Sequence, residues 1–449
     1  MRCADRESQK QQGEEMSNLF SRCLTTLLFS VLGAQSALAI DLPSISPEAA
    51  GYDGAQLNAI TERLDRLYEN GNIPNYVMAI AKDGKVFYQA TRGDKDLKAD
   101  TPVDLDTLYL IASMTKPLAT TAALILVNEG KLSLDDKLTD FFPDFGGLIV
   151  APGGSFDSTF EELEAPITVL NLITHTSGFT YGENVTGYGD VAKQLDELFW
   201  GKCHTNAEFL ELLAQVPTVA QPGTTFNYSY STDVLGAIVE KISGKSLGEF
   251  MQEELFEPLG MQNSGFNIAL NPELFPNLAR MYAPATAAAP ALGQLEEGGI
   301  DWKLAEASSP QSCAPKRDSA GGGMYSSTND FLRYLSMMAN GGTFEGKRII
   351  KEDVAAIQFK NLVPGLGLEA FEENFGEAAE FMTFGGGFGI KSEPSNSEAV
   401  DYYFWGGLFN TFFWIDPVDA SVGVFSTHHF PVQYNIIDDV EDIVDAARR

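Results

Sequence analysis

The chain has 449 residues, 44% apolar and 11% aromatic, enough to bury a large core and outside the composition of a disordered polymer. Its 30 Lys and Arg stand against 62 Asp and Glu, a formal net charge of −32. That surplus repels phosphate backbones and anionic lipid surfaces, which argues against nucleic-acid binding and reads as a solvated acidic surface.

In chain order, the first feature is an apolar run over residues 23–32 that follows Arg22 and leads into Ala37-Leu38-Ala39. It is too short to span a bilayer and reads as a signal peptide over residues 1–39, cleaved after Ala39, with Met16 an alternative start because residues 1–15 are acidic and mixed in charge. Export to the periplasm or beyond is the expectation, with no stable membrane anchor. Cleavage would leave Cys203 and Cys313, which could pair, although spacing in sequence does not give the Cα separation such a bond needs.

Residues 55–70 carry Leu57, Ile60, Leu64 and Leu67 at helical spacing. Two β-rich runs follow, 76–81 and 85–90, joined by Lys82-Asp83-Gly84, where Asp-Gly signals a hairpin. Helical periods occupy 233–242, 247–255 and 328–339. Strands are expected again at 402–404, 411–415 and 422–427, with a closing helix over about 435–446. Strands at both ends predict an α/β (α+β) domain over 40–449, with an antiparallel sheet built from about 52–110 and 380–449. Helices flank it, and a mostly helical region, about 113–360, is inserted between its halves. Residues 151–164, 283–300 and 369–380 read as extra loops of the kind that can line a binding site.

Three segments make joint chemical sense. Ser113 and Lys116 stand at i and i+3 at the start of an apolar helical run, so the amine can reach the hydroxyl. A serine is a poor nucleophile until a base takes its proton, and a partly buried lysine with a depressed pKa can do that. At a helix N-terminus the Ser113 N–H can also face a developing oxyanion. Ser113 as a helix cap beside a solvated Lys116 is the plain alternative. Tyr228, in the turn 222–230, can act as general base toward serine if partly phenolate beside a lysine, or else is a packed aromatic. Trp405-Gly406-Gly407-Leu408 lies between expected strands, where two glycines allow close approach of a ligand and a strand-edge N–H could complete an oxyanion hole.

Taken in order, Ser113-x-x-Lys116, His175-Thr176-Ser177-Gly178, Pro222-Gly223-Thr224 with Tyr228-Ser229, Pro258-Leu259-Gly260-Met261 and Trp405-Gly406-Gly407 resemble the serine β-lactamase and penicillin-binding-protein-like superfamily. The resemblance covers about residues 52–449 and is closer to the family VIII carboxylesterases and related acyltransferases. Class C β-lactamases carry Tyr-x-Asn and Lys-Thr-Gly, whereas this chain has Tyr228-Ser229-Tyr230 and Trp405-Gly406-Gly407. The resemblance implies a β-lactamase/transpeptidase-like fold and a serine hydrolase that cleaves carboxylic esters with no metal or cofactor. It implies Ser113 as nucleophile, Lys116 as its proton partner, Tyr228 as general base, and the N–H groups of Ser113 and Leu408 as the oxyanion hole. Tyr181, Trp405, Gly406 and Gly407 would contact the substrate, a small-molecule ester or amide. β-Lactamase, D-amino-peptidase, amidase or transacylase activity on the same fold, and a non-catalytic penicillin-binding or sensor module, remain open, as does the oligomeric state.

A rival nucleophile motif, Gly244-Lys245-Ser246-Leu247-Gly248 with His428 or His429 downstream, requires a strand before the serine. The preceding residues have helical spacing instead. Gly244 is therefore expected to end one helix and Ser246, with Glu249, to cap the next. Residues 385–389 are glycine-rich but lie between expected strands, which argues against a phosphate loop. No His or Cys spacing suits a metal.

Overall fold

The computed structural model describes residues 41–449 except 184, 186, 188, 286–299, 301, 305–316, 367–375, 394 and 431–435. The expected signal peptide, Cys313 and much of the second and third extra loops lie outside the described residues.

Seven strands form the main sheet: β1 (Tyr76–Lys82), β2 (Lys85–Arg92), β3 (Met382–Phe384), β4 (Gly389–Glu393), β5 (Asn396–Gly407), β6 (Thr411–Ile415) and β7 (Ser421–Ser426). Their spatial order is β3-β4-β5-β6-β7-β1-β2, every pair antiparallel. The first hairpin turns at Asp83 and Gly84, both at positive φ, as a two-residue primed turn requires. It then joins the C-terminal meander along β1 and β7, with Val77 opposite Ser426 and Lys82 opposite Ser421. The sheet is thus built from both ends of the domain. All of β7 and all of β1 except Lys82 are buried, which is why these central strands read as continuous apolar runs rather than alternating ones.

Helices α1 (Gly54–Glu69), α2 (Thr115–Asn128), α3 (Ser231–Ser243), α4 (Thr328–Ala339) and α5 (Ile437–Ala447) supply most of the covering layers. The stripe Leu57, Ile60, Leu64 and Leu67 is the buried face of α1, which Asp53 caps by accepting from Ala55 and Gln56 N–H. Helices α1 and α5 pack together, while α4 packs on β7 and β1. In the inserted region α2 is buried on all sides from Thr115 to Leu126 and lies against α3. A small sheet of Leu108–Leu110, Met324–Ser327 and Gly265–Phe266 supports the start of α2.

Two local readings meet the structure directly. Gly244 closes α3 in the left-handed conformation, and Ser246 caps Leu247–Met251 in a reciprocal box with Glu249. Ser246 is a capping serine and not the tip of a strand-to-helix elbow. Strand β5 is longer than the expected 402–404: the ladder continues through Gly406 opposite Phe412 and Gly407 opposite Thr411. Trp405-Gly406-Gly407 is therefore the end of a strand, because glycine keeps both ladder groups and loses only packing.

Candidate active site

Ser113 follows the short strand Leu108–Leu110 and sits in a single tight turn, Ala112–Met114, that runs into α2. The turn is pinned from behind: Ile111 N–H donates to Met324 O at 3.1 Å, and Met324 N–H donates to Thr115 Oγ1 at 3.2 Å. Ala112 is held at φ +43°, a conformation that costs an L-residue energy and persists only where neighbours enforce it. Ser113 is partly exposed, whereas Lys116 is 1% exposed.

Lys116 Nζ donates to Gly321 O at 2.6 Å and to Ser113 Oγ at 3.4 Å. It lies 4.4 Å from the ring centre of Tyr228 and 5.3 Å from that of Tyr181. Burial lowers its pKa to about 7, with the carboxylate of Asp233 acting the other way. A fraction of Lys116 is therefore a neutral amine at neutral pH, the form that can accept a proton.

Tyr228 is buried, 5.6 Å from Trp405 and 5.4 Å from Tyr181, ring centre to ring centre. Burial raises its phenol well above the ordinary value, and the hydrogen bonds of its hydroxyl with Ser113 and Trp405 only partly offset this. Burial thus favours the neutral phenol over the partial phenolate that a nearby lysine would promote. Tyr230, at the place of the class C asparagine, packs edge-on against Tyr181 at 4.5 Å.

The strand edge reaches the turn that holds Ser113 through Gly407. A Cβ there would collide with Ile111 O and Thr411 Oγ1, so only glycine lets β5 lie this close to the backbone before Ser113. Leu408 follows immediately. The structure thus brings Ser113, Lys116, Tyr228, Tyr181 and Trp405 to one place, with Gly406, Gly407 and Leu408 at its edge.

Other residues that shape the site were not singled out from sequence. Asp233, on α3, is buried; it accepts from Ser319 Oγ at 2.7 Å and pairs with Arg317 at 3.4 Å. Gly321, whose carbonyl holds Lys116, is wedged between Asp233 and Tyr181, where a Cβ would collide with the carboxylate. The run Gly321-Gly322-Gly323 was the available signal. His175 was quoted only as part of a motif. Its buried ring lies 4.9 Å from that of Tyr228 and is tied to Ser229 Oγ at 3.2 Å and Thr232 Oγ1 at 3.4 Å. Burial, then the charge of Lys116, keeps it well below the usual histidine range and neutral. Its carbonyl accepts from Asn227 N–H and that of Thr176 from Gly223 N–H, so the 175–178 and 222–228 turns hold one another and aim Tyr228.

The family model for beta-lactamase matches residues 59–444. The chain belongs to the beta-lactamase family. An uncharacterised protein of Mycobacterium tuberculosis is 30% identical over 76% of this chain and 82% of its own length. Esterase EstB of Burkholderia gladioli is 29% identical over 83% of this chain and 91% of its own. Among solved structures, EstCE1, titled a hydrolase with promiscuous acyltransferase activity, superposes with a TM-score of 0.67 at 24% identity, covering 88% of this chain and 99% of that one. This beta-lactamase family member is a serine hydrolase of the β-lactamase/transpeptidase-like fold, with helices around a large antiparallel sheet. No helix among the described residues is long and apolar enough to cross a membrane.

Proposed function

We propose that the protein hydrolyses small carboxylic esters through an acyl-enzyme on Ser113. The observation that carries this is the placement of a buried, readily neutral Lys116 within reach of both Ser113 Oγ and the face of Tyr228. In acylation Lys116 Nζ takes the Ser113 proton as Oγ attacks the ester carbonyl, and Tyr228 gives its proton to the departing alkoxide. The resulting phenolate is stabilised beside the Lys116 ammonium. In deacylation Tyr228 is the general base: it recovers a proton from the attacking water, and Ser113 leaves with the proton Lys116 kept. The N–H groups of Ser113 and Leu408 serve the oxyanion, and Tyr181, Trp405, Gly406 and Gly407 contact the substrate.

Esters are favoured over β-lactams because Tyr230 and Trp405 stand where class C enzymes carry an amide and a lysine, groups that would bind polar parts of a β-lactam. Both are aromatic here, Tyr230 packing on Tyr181 and Trp405 on Tyr228. The similarity to esterase EstB, and to EstCE1, a hydrolase with promiscuous acyltransferase activity, supports the ester reading.

The export reading rests on the apolar run before Ala39 and on Cys203, which is disulfide-bonded, a state that persists in oxidising compartments. N-terminal sequencing of the secreted or periplasmic protein checks it.

The deciding experiment compares purified wild type and Ser113→Ala on short-chain p-nitrophenyl esters and on a chromogenic cephalosporin. Ester turnover abolished in the variant, with little cephalosporin turnover, supports the proposal. Efficient cephalosporin turnover overturns the argument from Tyr230 and Trp405. Neither activity moves the reading to amide or peptide substrates, or to a non-catalytic module.

A further inference from the structure

We propose that Asp401, Glu441 and Asp445 form a binding site for one divalent cation of the calcium class, which clamps α5 to β5. Asp401 lies on β5, about 13 Å along the strand from Trp405. Glu441 and Asp445 lie one turn apart on the same face of α5. Oxygen atoms of the three carboxylates all fall within 4.8 Å of one another.

The second observation is Glu441 itself. It is 3% exposed and, among the described residues, accepts no hydrogen bond and forms no ion pair, yet its carboxylate is turned into this cluster. A buried carboxylate without a counter-charge is costly, and proteins normally pair it, protonate it or give it a metal. The local cations are engaged with its neighbours: Lys391 lies 3.6 Å from Asp401, and Arg448 lies 2.7 Å from Asp445 and also pairs with Asp416. Glu393, Asp419 and Asp442 add further negative charge around Asp445. Burial, then Asp445 and Asp401, push the Glu441 carboxyl up to about 9, and the charge of Lys391 offsets this only in part.

The donor set selects the ion. Three carboxylates without histidine or cysteine are hard oxygen ligands, suited to calcium, which accepts mono- or bidentate carboxylates and completes its shell with water. The exposure of Asp445 opens the cluster to solvent, so an ion and its waters can enter. The residues come from positions forty apart in the chain, and only the docking of α5 on the sheet assembles them.

The test uses the full protein stripped with EDTA. Thermal unfolding is followed with calcium chloride and with sodium chloride of equal ionic strength, and calcium binding is measured by isothermal calorimetry. Wild type, Glu441→Gln and Asp445→Asn are compared. The expected result is a saturable one-to-one calcium isotherm and a rise in the unfolding midpoint of about 3 °C at hundredfold excess over Kd, both lost in the variants. Ester turnover stays near wild type in both, since neither residue touches the site. Asp445 is exposed, so its variant keeps the test usable if Glu441→Gln does not fold. An equal rise with sodium chloride overturns the proposal, as does calcium binding retained in both variants, or no calcium effect on wild type.

Discussion

Lys116 and Tyr228 are joined face to cation: the lysine nitrogen stands 4.4 Å from the ring centre of the tyrosine, and both side chains are buried. Burial moves the two groups in opposite directions, lowering the lysine and raising the phenol, so a partly neutral amine rests beside a neutral phenol. Such divergence assigns the acid and base roles from environment rather than from residue type.

Lys116→Ala is expected to lower ester turnover by roughly a thousandfold while leaving the circular-dichroism spectrum native. The amine lies 3.4 Å from Ser113 Oγ and is the group placed to take its proton. Activity near wild type in a folded variant would remove Lys116 from the mechanism.

Ester turnover is expected to fall as pH drops through about 7, because the active Lys116 is the deprotonated form and acid protonates it. Asp233 raises the lysine's pKa, so Asp233→Asn should shift this limb to lower pH. The profile of kcat/KM against pH in both proteins checks this. An unmoved limb would show that the field of Asp233 does not set the lysine.

Gly407→Ala is expected to cut kcat by about tenfold or more, since the new Cβ must push β5 away from Ile111 O and with it the N–H of Leu408. Steady-state kinetics with one ester, read beside the unfolding midpoint, separates this from simple destabilisation. A kcat near wild type would mean that the strand edge does not serve the oxyanion.

Ser246→Ala should keep most activity and lose about 1 kcal/mol of stability, the ordinary cost of a lost cap. A folded but inactive variant would revive Ser246 as nucleophile.

The sequence by itself determined the main elements and which residues are candidates for the chemistry. Leu57, Ile60, Leu64 and Leu67 mark α1 because burial imposes its period on apolar residues, and Asp83-Gly84 marks the hairpin because few residues tolerate its backbone. Ser113 and Lys116 were legible because a helix fixes which residues share a face over one turn. The rejection of Ser246 followed from the same local rules.

Only the tertiary structure decided how these parts meet. That Gly321 O holds Lys116, that Asp233 offsets its desolvation, that His175 backs Tyr228 and that Tyr228 rests as a phenol all depend on long-range contacts and on water exclusion, which no local pattern encodes. The cluster of Asp401, Glu441 and Asp445 has the same origin: each residue alone reads as solvated acid, and their shared charge emerges only when α5 docks on β5. Local propensity is written residue by residue, whereas electrostatics and burial are properties of the assembled neighbourhood.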